Sequence, residues 1–380
     1  MRLAALVGGA LVVVLGGCTA PSGSTVTVAG KRLTVYLSAP ASATQEQPGQ
    51  DIIAAERLAF QQLGGSAGQY TLSLRTLGDQ KVSNNARTAI QDPSAIAYLG
   101  ELTPGRSAES IGITNAEDLL QVSPGDTALE LTKPSAAVSG APNRYLESLK
   151  AYGRTFARVV PNSAAEARAQ VRGMRSLGVH KLFVSDDGSQ YGRAIALAVR
   201  QAATPSLSVM GSAAGADGAF YGGASAQTAA AFFHRVAASA PRARLFAPSG
   251  LAGSRSVASL SAQVHNLYVS LPGFLPDRLP SAARRSFLGP FIRTYHHRPA
   301  TEAIFGYEAM AAVLTVLRQE AQQAGDRSRV VHQFFAIHNR SSALGTYSID
   351  ASGDTSIAPY VFGRVSAGRL VPFRALSAPG

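Results

Sequence analysis

One cysteine, Cys18, stands in 380 residues, so no disulfide can close within the chain. Tryptophan is absent, and only 15% of the residues are charged. Acidic groups are the scarcer sign: 23 Asp and Glu face 35 Lys and Arg, a formal charge of +12. A balance this basic can serve nucleic acid. Here the Lys and Arg are spread along the whole chain, with no run of five or six. No zinc pattern and no RNA-binding aromatic signature is present, so no nucleic-acid partner is expected. Two readings of the charge stand: apposition to anionic lipid or wall polymers, or a generic basic surface.

Long hydrophobic runs are missing too. The apolar run Leu3–Leu15 is too short to span a bilayer, which needs about 20 residues. Behind Arg2, and ahead of small residues, it has the layout of an export signal. Leu15-Gly16-Gly17-Cys18 turns that signal into a lipobox, so Cys18 is expected to be diacylated and the chain cut before it. A plain signal peptide with an incidental cysteine is the alternative. Residues 1–17 are then a lipoprotein signal peptide. Residues 18–30 are a lipidated tether, since Thr19–Gly30 is small and polar. The expected location is the outer face of the cell membrane, or the periplasmic membrane face.

Catalytic signatures are equally lacking: no G-x-S-x-G elbow, no Walker A loop, no G-x-G-x-x-G after a strand, no H-E-x-x-H. His296 and His297 are adjacent, and on a helix they point about 100° apart. His332 and His338 are six apart. Asp186-Asp187 reads either as an acid pair or as caps of the following turn and helix, the second being favoured. No metal, no cofactor and no enzymatic activity are expected.

What is present is an alternation of strands and helices. Lys31–Leu37, Tyr70–Leu77 and Ala95–Leu99 read as strands, with helices over Asp51–Leu63 and Val82–Ile90 between them. This is the β-α-β-α-β pattern of a parallel sheet. Phe156–Val160 reads as a further strand, and Ser163-Ala164-Ala165-Glu166 as the capping box of a helix. Strands at Lys181–Ser185, Leu207–Met210, Arg244–Ala247 and Leu267–Ser270, with helices between, build a second β/α lobe. Helices over Ala282–His296, Thr301–Ala324 and Ser328–Asn339 return to the first lobe. Gly345–Ile349, Tyr360–Val365 and Leu370–Phe373 close the chain as strands.

The stretch Gly100–Thr132 organises this plan. Two parallel strands end in the turns Leu102–Arg106 and Ser123–Thr127, and each turn is expected to open a helix. Free N–H groups and the positive dipole end gather there, which suits an anionic group. Ligands of open parallel sheets bind at such strand ends.

Gly100-x-Leu102-Thr103-x-Gly105, then Val122-Ser123-Pro124-Gly125-x-Thr127-x-x-Glu130-Leu131-Thr132, resembles the branched-chain amino acid (Leu/Ile/Val) binding proteins of ABC transporters. The likeness extends to Phe156-Ala157-Arg158, to Ser185–Arg193 and to Gly345–Asp354. It implies an α/β type I periplasmic-binding fold, two β/α lobes with parallel sheets joined by a three-strand hinge. Residues 31–162 plus 272–346 would form lobe 1, and 163–271 plus 347–380 lobe 2, with crossings near Asn162, near Leu271 and near Tyr347–Gly353. The implied function is a solute-binding lipoprotein that captures a small polar, amino-acid-like ligand in the interlobe cleft for an ABC importer. Its partners would be that ligand, a permease, and the membrane through the lipid anchor. A non-transport sensory or interaction lipoprotein on the same fold is the alternative.

The resemblance also implies site residues. The Thr matching Thr127 holds the ligand carboxylate, and the residue matching Gly125 offers its carbonyl to the ammonium. The Tyr matching Tyr191 lines the cleft. An N-cap role for Thr127 and a core role for Tyr191 are the alternatives. Three positions depart from the pattern. Pro104 replaces a ligand-binding serine, with Thr103 or the Gly105 N–H as substitutes. Ser249 replaces the acid for the ammonium, and Ala224 an aromatic of the cleft. Asp126 adds a carboxylate beside Thr127, able to oppose an anion or pair with a cation. The candidate ligand residues are thus Thr103, Gly105, Gly125, Asp126, Thr127, Tyr191 and Ser249.

Overall fold

The computed structural model describes residues 26–146, 153–261 and 264–376; Cys18 and the leader lie outside the described residues. Its first sheet runs in the order Ser66–Ala67, Tyr70–Leu77, Arg32–Ser38, Ala95–Leu99, Leu120–Ser123, Phe156–Arg158. All pairs are parallel except the short edge pair. Ala95–Leu99 is apolar without alternation because helices cover both faces; all five residues are buried. The helices Gln47–Leu63 and Ala303–Glu320 pack on each other in this lobe's core. Ala303–Glu320 is apolar nearly all round and buried along most of its length, as a central helix must be.

The second sheet runs Arg369–Ala375, Tyr360–Ser366, Leu267–Pro272, Arg244–Ala247, Gly218–Gly222, Lys181–Asp186, Ser208–Met210. It is parallel except where Tyr360–Ser366 joins Leu267–Pro272 and pairs with Arg369–Ala375 as an antiparallel hairpin. The chain passes from the first sheet to the second between Arg158 and Ser163. It returns after Pro272, and passes over again between Tyr347 and Tyr360.

Those passages are tied together by charge. Arg158 is fully buried, and its Nε lies 2.9 Å from Asp354 Oδ1. Its Nη1 donates to the carbonyls of Asp126 and Ala128, both at 2.8 Å, and its Nη2 to Thr132 Oγ1. Asp354 also accepts from Thr132 and from Asn162. Gly353 has φ 89° and sits where a Cβ would come within 2.3 Å of the Phe156 carbonyl. Only glycine allows that approach.

Several expectations need correction. The second turn, Ser123–Thr127, opens no α-helix, only the 3-10 turn Leu129–Leu131. Pro134 follows closely and disfavours helical backbone before it. The first turn leads to the 3-10 turn Arg106–Glu109 and a five-residue helix, Ile111–Asn115. The predicted helix over Ala282–His296 is interrupted by a π segment, Arg284–Leu288. Pro290 lacks the N–H that would continue the ladder, and its ring crowds the preceding turn. The helix predicted from Asp51 begins at Gln47, with Pro48 in its first turn. Gly218–Gly222 is a buried central strand where the sequence alone predicts none.

The capping box also fails. Asn162, not Ser163, caps the helix Ser163–Ser176, accepting from Ala164 and Ala165 N–H. Glu166 instead points toward Ser249 and Ser270.

Candidate functional site

The carboxyl ends of both sheets face one cleft. A chamber of about 300 Å³ is lined from the first sheet's side by Thr103, Gly125 and Glu46 and from the second's by Ser249. A second chamber, about 430 Å³, is lined by Gly105, Glu130, Tyr145, Asp187 and Tyr191. Pro104, Arg106 and Ala224 border both. Thr103, Gly125 and Ser249 therefore meet in one chamber, and Gly105 and Tyr191 in the other. Asp126 and Thr127 line neither.

Asp126 explains why. Its Oδ1 accepts from the N–H groups of Gly105 (2.7 Å) and Ala128 (3.0 Å), and its Oδ2 from Ser107 N–H (2.7 Å). The side chain is fully buried. Burial pushes its carboxyl up, and Arg158 and the three N–H groups act against that. The turns do gather free N–H groups around an anion, as the sequence reading expects, but the anion is the chain's own. Gly105 N–H is thus spent and cannot stand in for the serine missing at Pro104. Thr127 is buried; among the described residues its Oγ makes no hydrogen bond of normal length, and the group it faces is the Tyr191 hydroxyl. Its carbonyl accepts from Ser163 N–H at 2.6 Å. Gly125 packs against Leu102, where a Cβ would lie 2.2 Å from the Leu102 carbonyl oxygen.

Across the cleft, Ser249 donates through N–H to Glu166 Oε1 (2.6 Å) and through Oγ to Oε2 (3.0 Å). Ser270 Oγ also donates to Oε1. Burial is the largest cause of a Glu166 pKa raised to about 7. A carboxyl thus lies directly beneath the neutral serine. Tyr191 is buried, and its hydroxyl accepts from Gly250 N–H at 3.3 Å. Asp186 and Asp187 hold the following turn, accepting from Gly188 and Ser189 N–H.

The two sides of the cleft touch directly. Arg255 N–H donates to Glu46 Oε2 (2.9 Å), Arg255 Nη1 to Gln45 Oε1 (2.7 Å), and Tyr145 OH to Gln190 Oε1 (3.0 Å). Sequence reasoning missed the carboxyls of Glu46, Glu166 and Glu302. Glu166 and Glu302 stand at helix starts, where an acid reads as a dipole partner.

Two β/α lobes, joined by three passages and meeting at the strand ends over one cleft, define the type I periplasmic-binding fold. Solved structures of that class superpose along nearly the whole chain. A leucine-binding protein from Thermotoga maritima matches at TM-score 0.72 and 15% identity, covering 91% of this chain and 99% of its own. A branched-chain amino acid transporter substrate-binding protein from Streptococcus pneumoniae, solved with isoleucine, matches at 0.68 and 13%, covering 90% and 100%. An ABC-transporter solute-binding protein from R. palustris, solved with benzoate, matches at 0.64 and 16%, covering 91% and 96%. No protein-family model matches the chain. No curated protein matches it either.

Proposed function

We propose that this chain is a solute-binding lipoprotein, tethered through Cys18, that captures a small polar solute between its lobes and delivers it to an ABC permease. The observation that carries this reading is the chamber of about 300 Å³ bordered by strand-end residues of both lobes. Binding and closure, not covalent chemistry, are its mechanism. A hinge of three passages lets two lobes move as bodies on a ligand. The solved relatives with leucine, isoleucine and benzoate support a cleft-bound solute. The amino-acid-like ligand implied by the resemblance is narrowed here. A ligand carboxylate placed at the two turns finds the N–H groups of Gly105, Ser107 and Ala128 already bonded to Asp126.

A second reading keeps the fold and drops transport: a sensory or interaction lipoprotein with a degenerate site. The direct bonds of Arg255 to Gln45 and Glu46 favour it, because they join the lobes without a solute. A thermal-shift screen of residues 19–380 against amino acids, amides, sugars, amines and polyamines separates the two. A true solute at a hundred times its Kd stabilises by about 2.7 kcal/mol. Silence across the whole set favours the sensory reading.

A further inference from the structure

A third cavity, about 730 Å³, adjoins the first chamber, and Pro48, Ala252 and Glu302 border both. Its walls are mostly apolar: Leu271, Phe274, Leu279 and Phe287 on one side, Leu370 and Pro372 of the terminal hairpin on the other. Asp51 and Glu302 supply the buried charge in it. Arg298 and Arg369 also border it, but both are exposed to solvent at its rim.

The two buried acids differ. Asp51 is fully served, accepting from Gln47 Nε2 (2.9 Å), His297 Nε2 (2.8 Å) and Ala300 N–H (2.7 Å). Its bond to His297 raises that imidazole's pKa and favours the charged ring, which offsets Asp51. Glu302 is only 8% exposed and stands at the start of the helix Ala303–Glu320 without a side-chain cap bond. Among the described residues no other side chain bonds or ion-pairs with it. Burial first, and the charge of Asp51 second, raise its pKa to about 7, against its own backbone N–H. The remaining charged groups of the first chamber are engaged elsewhere: Glu46 takes the Arg255 N–H, and Arg106 pairs with Glu109 at 2.6 Å. Among the described residues its own backbone N–H is the one donor to this carboxyl; so sparsely served in a cavity wall, it is costly to keep charged, and a bound cation would offset that cost.

We infer that Glu302 receives an ammonium group, and that the adjoining apolar cavity takes the body of the same molecule, a primary or secondary amine carrying a hydrocarbon or aromatic portion. The inference rests on the solute-binding reading and names its ligand class. An N–H donor with full positive charge makes a short, charge-assisted bond to the carboxylate. The apolar body replaces water along Leu271, Phe274 and Phe287. A solute presenting a carboxylate is opposed by Glu302 in this wall, and at the turns it finds the N–H groups of Gly105, Ser107 and Ala128 already taken by Asp126.

The test uses residues 19–380 with phenethylamine and hexylamine as probes, against phenylpropionate, hexanoate and leucine. Calorimetric titration should show both amines binding at pH 8 and neither acid. Glu302→Gln keeps the size and removes the charge. It should weaken the amines at least tenfold while melting no lower than wild type without ligand. Should that variant not fold, Glu302→Asp, which keeps the charge and withdraws it by one methylene, should show a smaller loss. Amine affinity should rise from pH 6 to pH 8 as Glu302 gives up its proton. Glu302→Gln should flatten that rise, which separates Glu302 from His297. Equal amine binding by wild type and Glu302→Gln overturns the inference. Binding of leucine or the acids, but of no amine, overturns it while the solute-binding reading stands. Silence toward these probes and toward the full solute screen overturns both.

Discussion

Replacing Asp126 with asparagine tests the arrangement at the heart of the cleft. The substitution keeps the shape and removes one of two acceptor oxygens. Oδ1 serves Gly105 and Ala128, and Oδ2 serves Ser107. The amide oxygen can keep the first pair, and the amide NH2 then faces the Ser107 N–H. A buried donor left without an acceptor costs about 1–3 kcal/mol. At roughly 2–4 °C per kcal/mol for a unit of this size, the unfolding temperature should fall by about 2–12 °C. Scanning calorimetry reads this directly. Asp126→Gly goes further and leaves all three N–H groups without an acceptor. Added formate should then rescue it: at ten times its Kd it restores about 1.4 kcal/mol. If Asp126→Asn melts with wild type and formate does nothing to Asp126→Gly, the three N–H groups are not holding this carboxylate.

Other outcomes follow from the same geometry. Glu101, Glu130, Glu166 and Glu302 each have a pKa raised to about 7, chiefly by burial. A raised carboxyl binds its proton more tightly when folded, so its contribution is fully present below the unfolded value, near 4.5, and is lost as pH rises toward 7. Urea titrations between pH 4.5 and 7.5 should show stability falling across that window, and Glu302→Gln should reduce the slope; a flat or rising profile would count against these buried acids. Thr127→Val removes a buried hydroxyl that makes no hydrogen bond of normal length among the described residues, so affinity for any confirmed solute should stay within about twofold and the melting temperature should not drop. A tenfold loss by titration would return Thr127 to the ligand. Cys18→Ser should leave the protein unlipidated, and lipid still found on it by mass spectrometry would remove the anchor from the account.

Much of the scaffold is legible because local chemistry and tertiary context agree there. Tyr70–Leu77 alternates and is a strand, and Ala95–Leu99 is a continuous apolar strand covered on both faces. The strand Gly218–Gly222 is not legible, since glycines at both ends of Ala219-Phe220-Tyr221 read as turn signals. Its place at the centre of the second sheet comes from neighbours on both sides. The meeting of the two strand-end turns is legible, and the bonds made there are not. The turns after Gly100 and Val122 do meet at strand ends. That Asp126 would bond Gly105 and Ser107, some twenty residues earlier, depends on how the two turns face each other. Glu166 is illegible for the same reason: three residues after Ser163, in Ser163-Ala164-Ala165-Glu166, it has the spacing of a capping box, and only the packed second lobe places Ser249 and Ser270 against it.

The central claim is that a small solute binds between the lobes, and Ala252 offers the most direct measurement. Ala252 is half-buried and borders both the first chamber and the adjoining 730 Å³ cavity. Ala252→Trp should fill the space where the two meet. Calorimetric titration of wild type and Ala252→Trp, with the solute that the screen identifies, compares them. The account predicts one-to-one binding by wild type and none by Ala252→Trp, with a cooperative unfolding transition kept by the variant in the absence of solute. Equal binding by both proteins would place the ligand outside the cleft and contradict the account.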